Sequence, residues 1–327
     1  MSEWCGWPVV DEPTSWETAQ RVLTDAELSD GLPLVPPTRR RLETIVAGIE
    51  DRTGSQGMMP PMFGELTPEA VAYQCVIAGC LPAELSVVLA AAAATLEADF
   101  NLLGIATTTG TAAVALCVHG PIARTLGLNA GTNCLGPGNR ANASIGRALQ
   151  LCLRNIGGAR AETGDMATMG QPGKYTFCFA ERNDGPFPTL TARRGLGADT
   201  SAVTVMGVSG TAEVLPADGE GATPEAILSP IAAGMHAALV MSSMSRRNER
   251  GEQVVLLPLE MADKIARHDG WDLLRVQRYL FDEGERAGLG VARAADAIHP
   301  IVTGGAGYKM TYLPIWGGGS QTVTRAL

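Results

Sequence analysis

Apolar residues in this chain recur with two distinct periods. From Ala141 onward, Ile145, Ala148, Leu149 and Cys152 return at intervals of three and four, which predicts an amphipathic helix with one apolar face. Leu42, Ile45, Val46 and Ile49 do the same in a short helix over 39–49, weakened by Gly48 near its end. Thr67-Pro-Glu-Ala opens another helix, with a capping hydroxyl ahead of a proline at the first helical position; it runs to about Gly79. The next spans 82–96. Apolar residues cover its whole circumference, and the run Ala90 to Ala94 implies close approach of another element or a second subunit. Short apolar runs predict strands over 101–106, 112–118, 175–180, 201–208, 253–257 and 298–302, with helices over 224–241, 261–266 and 273–287.

Alternation of strands and helices predicts an α/β protein whose mixed, partly parallel sheets are covered by helices. Asn183-Asp-Gly-Pro-Phe-Pro188 is the best seam in the chain, so two lobes are expected: 67–185 around a central glycine loop and 186–327 around a C-terminal one. Residues 1–66 have little regular pattern apart from the short helix. Within them, Asp30-Gly-Leu-Pro-Leu-Val-Pro-Pro-Thr38 reads as an extended arm laid over another surface, because its prolines remove donors and hold φ. Met58-Met-Pro-Pro-Met62 is a loop whose methionines pack or line a site.

Composition narrows the class. A chain of 327 residues exceeds a usual single core, and 46% hydrophobic with 18% charged residues is the make-up of a packed globule. Glycine occurs 39 times, well above the usual ~7%, so many tight turns are expected. A net charge of −9 argues against general affinity for nucleic acid. The start Met1-Ser-Glu-Trp-Cys-Gly-Trp7 is unlike a signal peptide, and the apolar run over 85–96 is broken by Ser86 and Thr95 and too short for a bilayer, so a cytoplasmic protein without a membrane partner is expected. The seven cysteines form no Cys-x-x-Cys pair; Cys75, Cys117, Cys152 and Cys178 sit in apolar segments as small core residues. The four histidines show no zinc-ligand spacing, so neither metal nor cofactor is expected, and His119 reads as a satisfied structural group.

The unusual residues concentrate between Asn129 and Leu151. A glycine loop containing Gly136 and Gly138 feeds a helix start whose unpaired N–H groups suit an anion. Arg140 and Arg147 add forked positive charge, while Cys134, Asn139, Asn142 and Ser144 supply polar groups; the plain alternative is a tight turn capped by Asn142 or Ser144. A second glycine loop follows the last predicted strand, with Gly304, Gly305, Gly307 and Lys309 as phosphate or carboxylate contacts. It is not a Walker loop, and the chain has no Gly-x-Gly-x-x-Gly turn. Thr108, in Thr107-Thr-Thr-Gly-Thr111, contacts substrate or is merely solvated. Lys174 and Tyr175 stand at the mouth of a strand that ends at Glu181; the lysine enters a cleft or guards a sheet edge.

Asp30-Gly-Leu-Pro-Leu-Val-Pro-Pro-Thr38, Gly136-Pro-Gly-Asn-Arg-Ala-Asn-Ala-Ser-Ile-Gly-Arg-Ala-Leu149, Gly170-Gln-Pro-Gly-Lys-Tyr175 and the terminal glycine segment together resemble a broad bacterial family. Some of its members accompany small UGSC-type redox proteins carrying a Sec/Cys-Gly-Ser-Cys motif. The resemblance covers nearly the whole chain and implies a shared fold and such a partner; the Cys-Gly-Ser-Cys motif itself is absent. Two functions compete. One is an enzyme for a small carboxylate or phosphate metabolite, a lyase, hydratase or thiol-based oxidoreductase. Arg140, Arg147, Lys174 and Lys309 would hold the anion, Cys134 would be nucleophile or thiol acid/base, and Glu181 or Asp165 would carry protons. The other is a non-catalytic or half-site subunit of a redox complex. A homo-oligomer built through the alanine helix is expected in either case.

Overall fold

The computed structural model describes residues 2–197, 199–242, 251–286 and 290–327. The N-terminal part contains β1 (Glu3–Trp4), β2 (Trp7–Pro8), α1 (Trp16–Asp25), α2 (Arg39–Ile45), β3 (Met58–Met59) and β4 (Gly64–Glu65). Next come α3 (Pro68–Ala78), α4 (Leu85–Ala94), α5 (Leu102–Thr107), β5 (Ala113–His119), α6 (Pro121–Thr125), α7 (Arg140–Asn155) and β6 (Cys178–Ala180). The remainder is α8 (Leu190–Arg193), β7 (Ala202–Val208), β8 (Ala212–Val214), α9 (Pro224–Ser242), β9 (Gln253–Leu257), α10 (Leu259–Ala266), α11 (Leu273–Arg286), β10 (Ile298–Val302), β11 (Met310–Leu313) and β12 (Val323–Ala326).

Two mixed four-stranded sheets form, in the orders β12-β7-β5-β6 and β10-β9-β11-β8. β5 and β6 are parallel across α7, and β9 and β10 are parallel across α10 and α11; the remaining pairs in these sheets are antiparallel. The strand period of two explains how they stack. On β5, Val114, Leu116 and Val118 face a core shared with α3, α4 and α7, while Ala115 and Cys117 face the other way. On β9, Val255 and Leu257 face a core shared with α9, α10 and α11, while Val254 and Leu256 join Ala115 and Cys117. The layers therefore run helix, sheet, sheet, helix, with a thin third core between the two sheets. The boundary expected at 185/186 does not divide them, because β7 and β12 hydrogen-bond into the same sheet as β5 and β6.

Several expected elements change for local reasons. Residues 101–106 form α5 instead of a strand: Asn101 takes a left-handed φ of 54° and its side chain accepts from the Gly104 N–H, which caps a helix. Leu102 and Ile105 then share a buried face while Leu103 is exposed. The N-terminal segment contains α1, capped by Ser15, where no helix was expected. α2 stops at Ile45, ahead of Gly48 with its φ of +91°. Of the helix expected over 273–287, Ala287 lies outside the described residues.

The proline arm lies where an extended arm was expected, over α3, with Val35 donating to the Ile77 carbonyl and Gln20 bonding the Leu34 backbone in both directions. α4 is enclosed by α3, α7, β7 and β12, and Ala90 to Ala94 are all buried within the chain. Its alanines thus serve close packing within the subunit, and they no longer call for a second one. α9 is long and apolar enough to cross a bilayer by length and composition. Ile227, Leu228, Ile231, Met235 and Leu239 bury one side of it in the core against the second sheet.

Candidate functional site

The two glycine loops meet. Gly304 donates its N–H to the Ala130 carbonyl at 2.9 Å, and a Cβ on Gly305 would stand 2.8 Å from Cα of Thr132, so glycine at 305 permits this approach. Between them opens a cleft of about 650 Å³, at the carboxyl ends of β9 and β10. Cys134, Gly136, Gly304, Gly305, Gly307 and Lys309, singled out from the sequence, all line it. Such a position, beyond strand ends where loops converge, is where ligands collect in α/β folds.

Cys134 is buried, with 7% of its surface accessible, and borders this cleft. Its sulfur stands 3.6 Å from the Thr303 hydroxyl, whose one proton is shared between that sulfur and the Ala180 carbonyl 2.8 Å away. Burial pushes the Cys134 thiol above its usual range; hydrogen bonds from Thr303 and from the backbone of Cys134, Gly304 and Leu135 pull it down but do not win. The thiol form of Cys134 is therefore favoured over a thiolate. α7 is capped by Asn139, whose side chain accepts from the Asn142 N–H at 3.0 Å, so neither Asn142 nor Ser144 is the cap. Asn142 instead locks the loop: its side chain accepts from Asn129 N–H and donates to the carbonyls of Asn129 and Cys134. Ser144 is buried beside Gly79, and Gly138 supplies a φ of +122° ahead of the cap.

The cations do not gather. Arg140 pairs with the buried Glu84. Arg147 grips both oxygens of Asp30 at 2.8 Å and donates to the Pro33 and Leu32 carbonyls, clamping the proline arm. Burial alone would raise the Asp30 carboxyl, but Arg147 outweighs it and holds it low. Lys174 pairs with Asp165 at 2.5 Å, and both border a separate small cavity of about 100 Å³. Only Lys309 among the four reaches the cleft, 3.3 Å from Glu213 with both side chains more than half exposed.

Other expected contacts also lie elsewhere. Thr108 borders a different hollow with Trp316 and bonds the Gly110 N–H, and Tyr175 is half exposed away from the cleft lining. Glu181 is buried, accepting from the Leu190 N–H and bonding His119 Nδ1 at 2.7 Å. His119 Nε2 meets Thr204 at 2.7 Å, and Thr204 meets Thr324 at 2.8 Å. Glu181 and His119 thus saturate each other between the sheets, which fits the structural reading of His119 and takes Glu181 out of the cleft.

Thr303 and Glu213 are among the cleft residues that sequence reading missed; the signal for Thr303 was a hydroxyl between a strand and a glycine run. The cluster of buried Glu252 with Arg293 and buried His299 is also missed, because each stands alone in the sequence. Among the described residues, no group of three His, Cys, Asp or Glu side chains is arranged to hold a metal ion. No protein-family model matches this chain. Curated proteins give no match either.

Proposed function

We propose that this chain is an enzyme acting on a small carboxylate- or phosphate-bearing metabolite in the cleft between the glycine loops, with Cys134 as its reactive group. The observation that carries this reading is the Cys134 sulfur at the cleft, 3.6 Å from the Thr303 hydroxyl and beside the backbone of Gly304 and Leu135. A thiol pushed up by burial rests protonated, so it is equipped to give a proton to a carbanion or leaving oxygen. The donors around it then favour the thiolate that remains. That behaviour suits a lyase or hydratase better than a standing nucleophile. Lys309 supplies the anion contact. Its exposed pair with Glu213 is worth little, on the order of 0–1 kcal/mol, so a substrate oxyanion displaces Glu213 at small cost.

The test is proton exchange. Wild type, Cys134→Ala and Lys309→Ala are incubated in D₂O with a panel of small hydroxy acids, oxo acids and sugar phosphates and followed by ¹H NMR. Wild type exchanges or converts at least one compound, Cys134→Ala converts none, and Lys309→Ala raises KM. Turnover surviving in Cys134→Ala overturns the assignment.

One observation favours the redox-subunit reading as a second: Met58, Met62 and Phe63 are all more than half exposed on the β3–β4 hairpin. A UGSC-type protein would dock there, and activity would then arise only on mixing the two chains.

A further inference from the structure

Two cysteines meet at the carboxyl end of α3. Gly79 turns the chain there with a φ of +87° and donates its N–H to the Val76 carbonyl at 3.0 Å, while Cys80 donates its N–H back to the Cys75 carbonyl at 2.9 Å. In this nested pair of bonds the residues at the two ends of the turn lay their side chains together, and here those residues are Cys75 and Cys80. Covalent dimensions bound their separation: across a 2.9 Å bond the two Cα atoms are at most about 6.8 Å apart. A disulfide spans Cα distances of about 4.4–6.8 Å, so the backbone already holds the pair within bridging range. The Cys75 and Cys80 thiols also share a hydrogen bond.

The two thiols differ in exposure. Cys75 is wholly buried, and burial pushes it well above the usual thiol range, with Cys80, Cys152 and Glu84 adding to the rise, so it rests protonated. Cys80 is half-buried and open to a small oxidant, and it lies close enough to Arg140 for their charges to act on each other. Glu84 is already engaged by Arg140 and by the Leu81 N–H. An accessible thiol near a cation, with a second thiol in contact, is the arrangement that condenses to a disulfide before the first sulfur is oxidised further.

We propose that Cys75 and Cys80 are a reversible disulfide site, oxidised by hydrogen peroxide or an organic hydroperoxide. The Cys80 sulfur attacks a peroxide oxygen; the O–O bond breaks, the thiol proton leaves with the departing oxygen as water or an alcohol, and Cys80 becomes a sulfenic acid. The Cys75 sulfur then displaces hydroxide from Cys80. The S–S bond forms, the S–O bond breaks, and the Cys75 proton completes a water, so two thiols give two electrons to one peroxide. The bridge closes in the turn that leads to Glu84, the partner of Arg140 at the first residue of α7, which places it beside the anchor of the glycine loop. Neither cysteine lines the cleft, so the inference stands whether or not Cys134 is reactive.

Thiol mapping tests it. Reduced full-length wild type, Cys80→Ser, Cys152→Ser and Cys134→Ala are treated with hydrogen peroxide at pH 8 and quenched in acid; remaining thiols are then alkylated in the unfolded chain and located by mass spectrometry. In wild type, Cys75 and Cys80 lose label together, an internally bridged peptide appears, and dithiothreitol restores both labels. Cys75 keeps its label in Cys80→Ser, and the bridge forms unchanged in Cys152→Ser and Cys134→Ala. Mapping of wild type carries the test even if a variant does not fold. The inference is overturned if wild type keeps label at Cys75 while Cys80 is oxidised, if neither is oxidised, if Cys80 is found bridged to Cys152, or if Cys75 loses its label in folded Cys80→Ser.

Discussion

Arg140 closes its guanidinium on the carboxylate of Glu84, a side chain only 1% exposed, while Leu81 donates its N–H to the same carboxylate at 2.8 Å. This ties the first turn of α7 to the start of α4, and makes Arg140 a structural residue. Removing it leaves a buried charge with a single partner. Because the arginine itself is half exposed, the expected cost is about 2–4 kcal/mol, at or below that of breaking a wholly buried pair. Arg140→Ala should lower the urea midpoint accordingly, and an unchanged midpoint would show that Glu84 finds another donor or water.

Thiol labelling should follow exposure. Mass mapping after brief alkylation is expected to find half-buried Cys80 ahead of Cys134, and Cys134 ahead of buried Cys75, Cys117, Cys152 and Cys178. Since burial pushes the Cys134 thiol above its usual range, its rate should still climb about tenfold per unit through pH 9. A plateau below pH 8 would mean a stabilised thiolate and reverse the proposed resting state.

Stability should fall with acid in two stages. Burial lowers His299 below 6.5, overriding the opposite pull of Glu252. Burial by itself would raise Glu252, but His299 and Thr322 outweigh it and hold it at about 2. In both cases the unfolded chain binds protons more readily, so stability is greatest above the unfolded pKa and declines as pH drops. His299 contributes to the decline from about pH 6.5 downward, and Glu252 contributes between about 4.5 and 2, on the order of 3 kcal/mol. Melting temperatures over pH 3–8 check this: Glu252→Gln should flatten the lower stage, and an unaltered slope would refute it.

Gly305→Ala should force the glycine loops apart, since its Cβ would meet the Thr132 backbone at 2.8 Å. A loss of about 1–3 kcal/mol and faster alkylation of Cys134 are expected. Gly210→Ala, where a Cβ meets nothing within 4 Å, serves as the control and should be near neutral. Equal melting of the two variants would contradict the tight contact.

Much of the scaffold could be read from local pattern. The caps at Thr67 and Gly79, the buried runs of β5, β7, β9 and β10, and the amphipathic period of α7 depend on neighbours along the chain, and they appear where the sequence puts them. Short elements escaped, because β8, β11 and β12 have only three or four residues and form by pairing with distant strands. The meeting of the two glycine loops was legible as a juxtaposition of unusual residues, since Gly304 and Gly305 have little other reason to follow a strand.

Charge was the property the sequence could not assign. Arg140, Arg147 and Lys174 look alike beside glycine loops, yet Glu84, Asp30 and Asp165 claim them, and two of those acids lie 56 and 117 residues away. Arg193, on α8, keeps two buried donors without an acceptor although nothing in its sequence setting marks it. Which cation stays free depends on where the carboxylates fall in space; periodicity sets which face of an element is buried, and only tertiary packing decides which charges meet there.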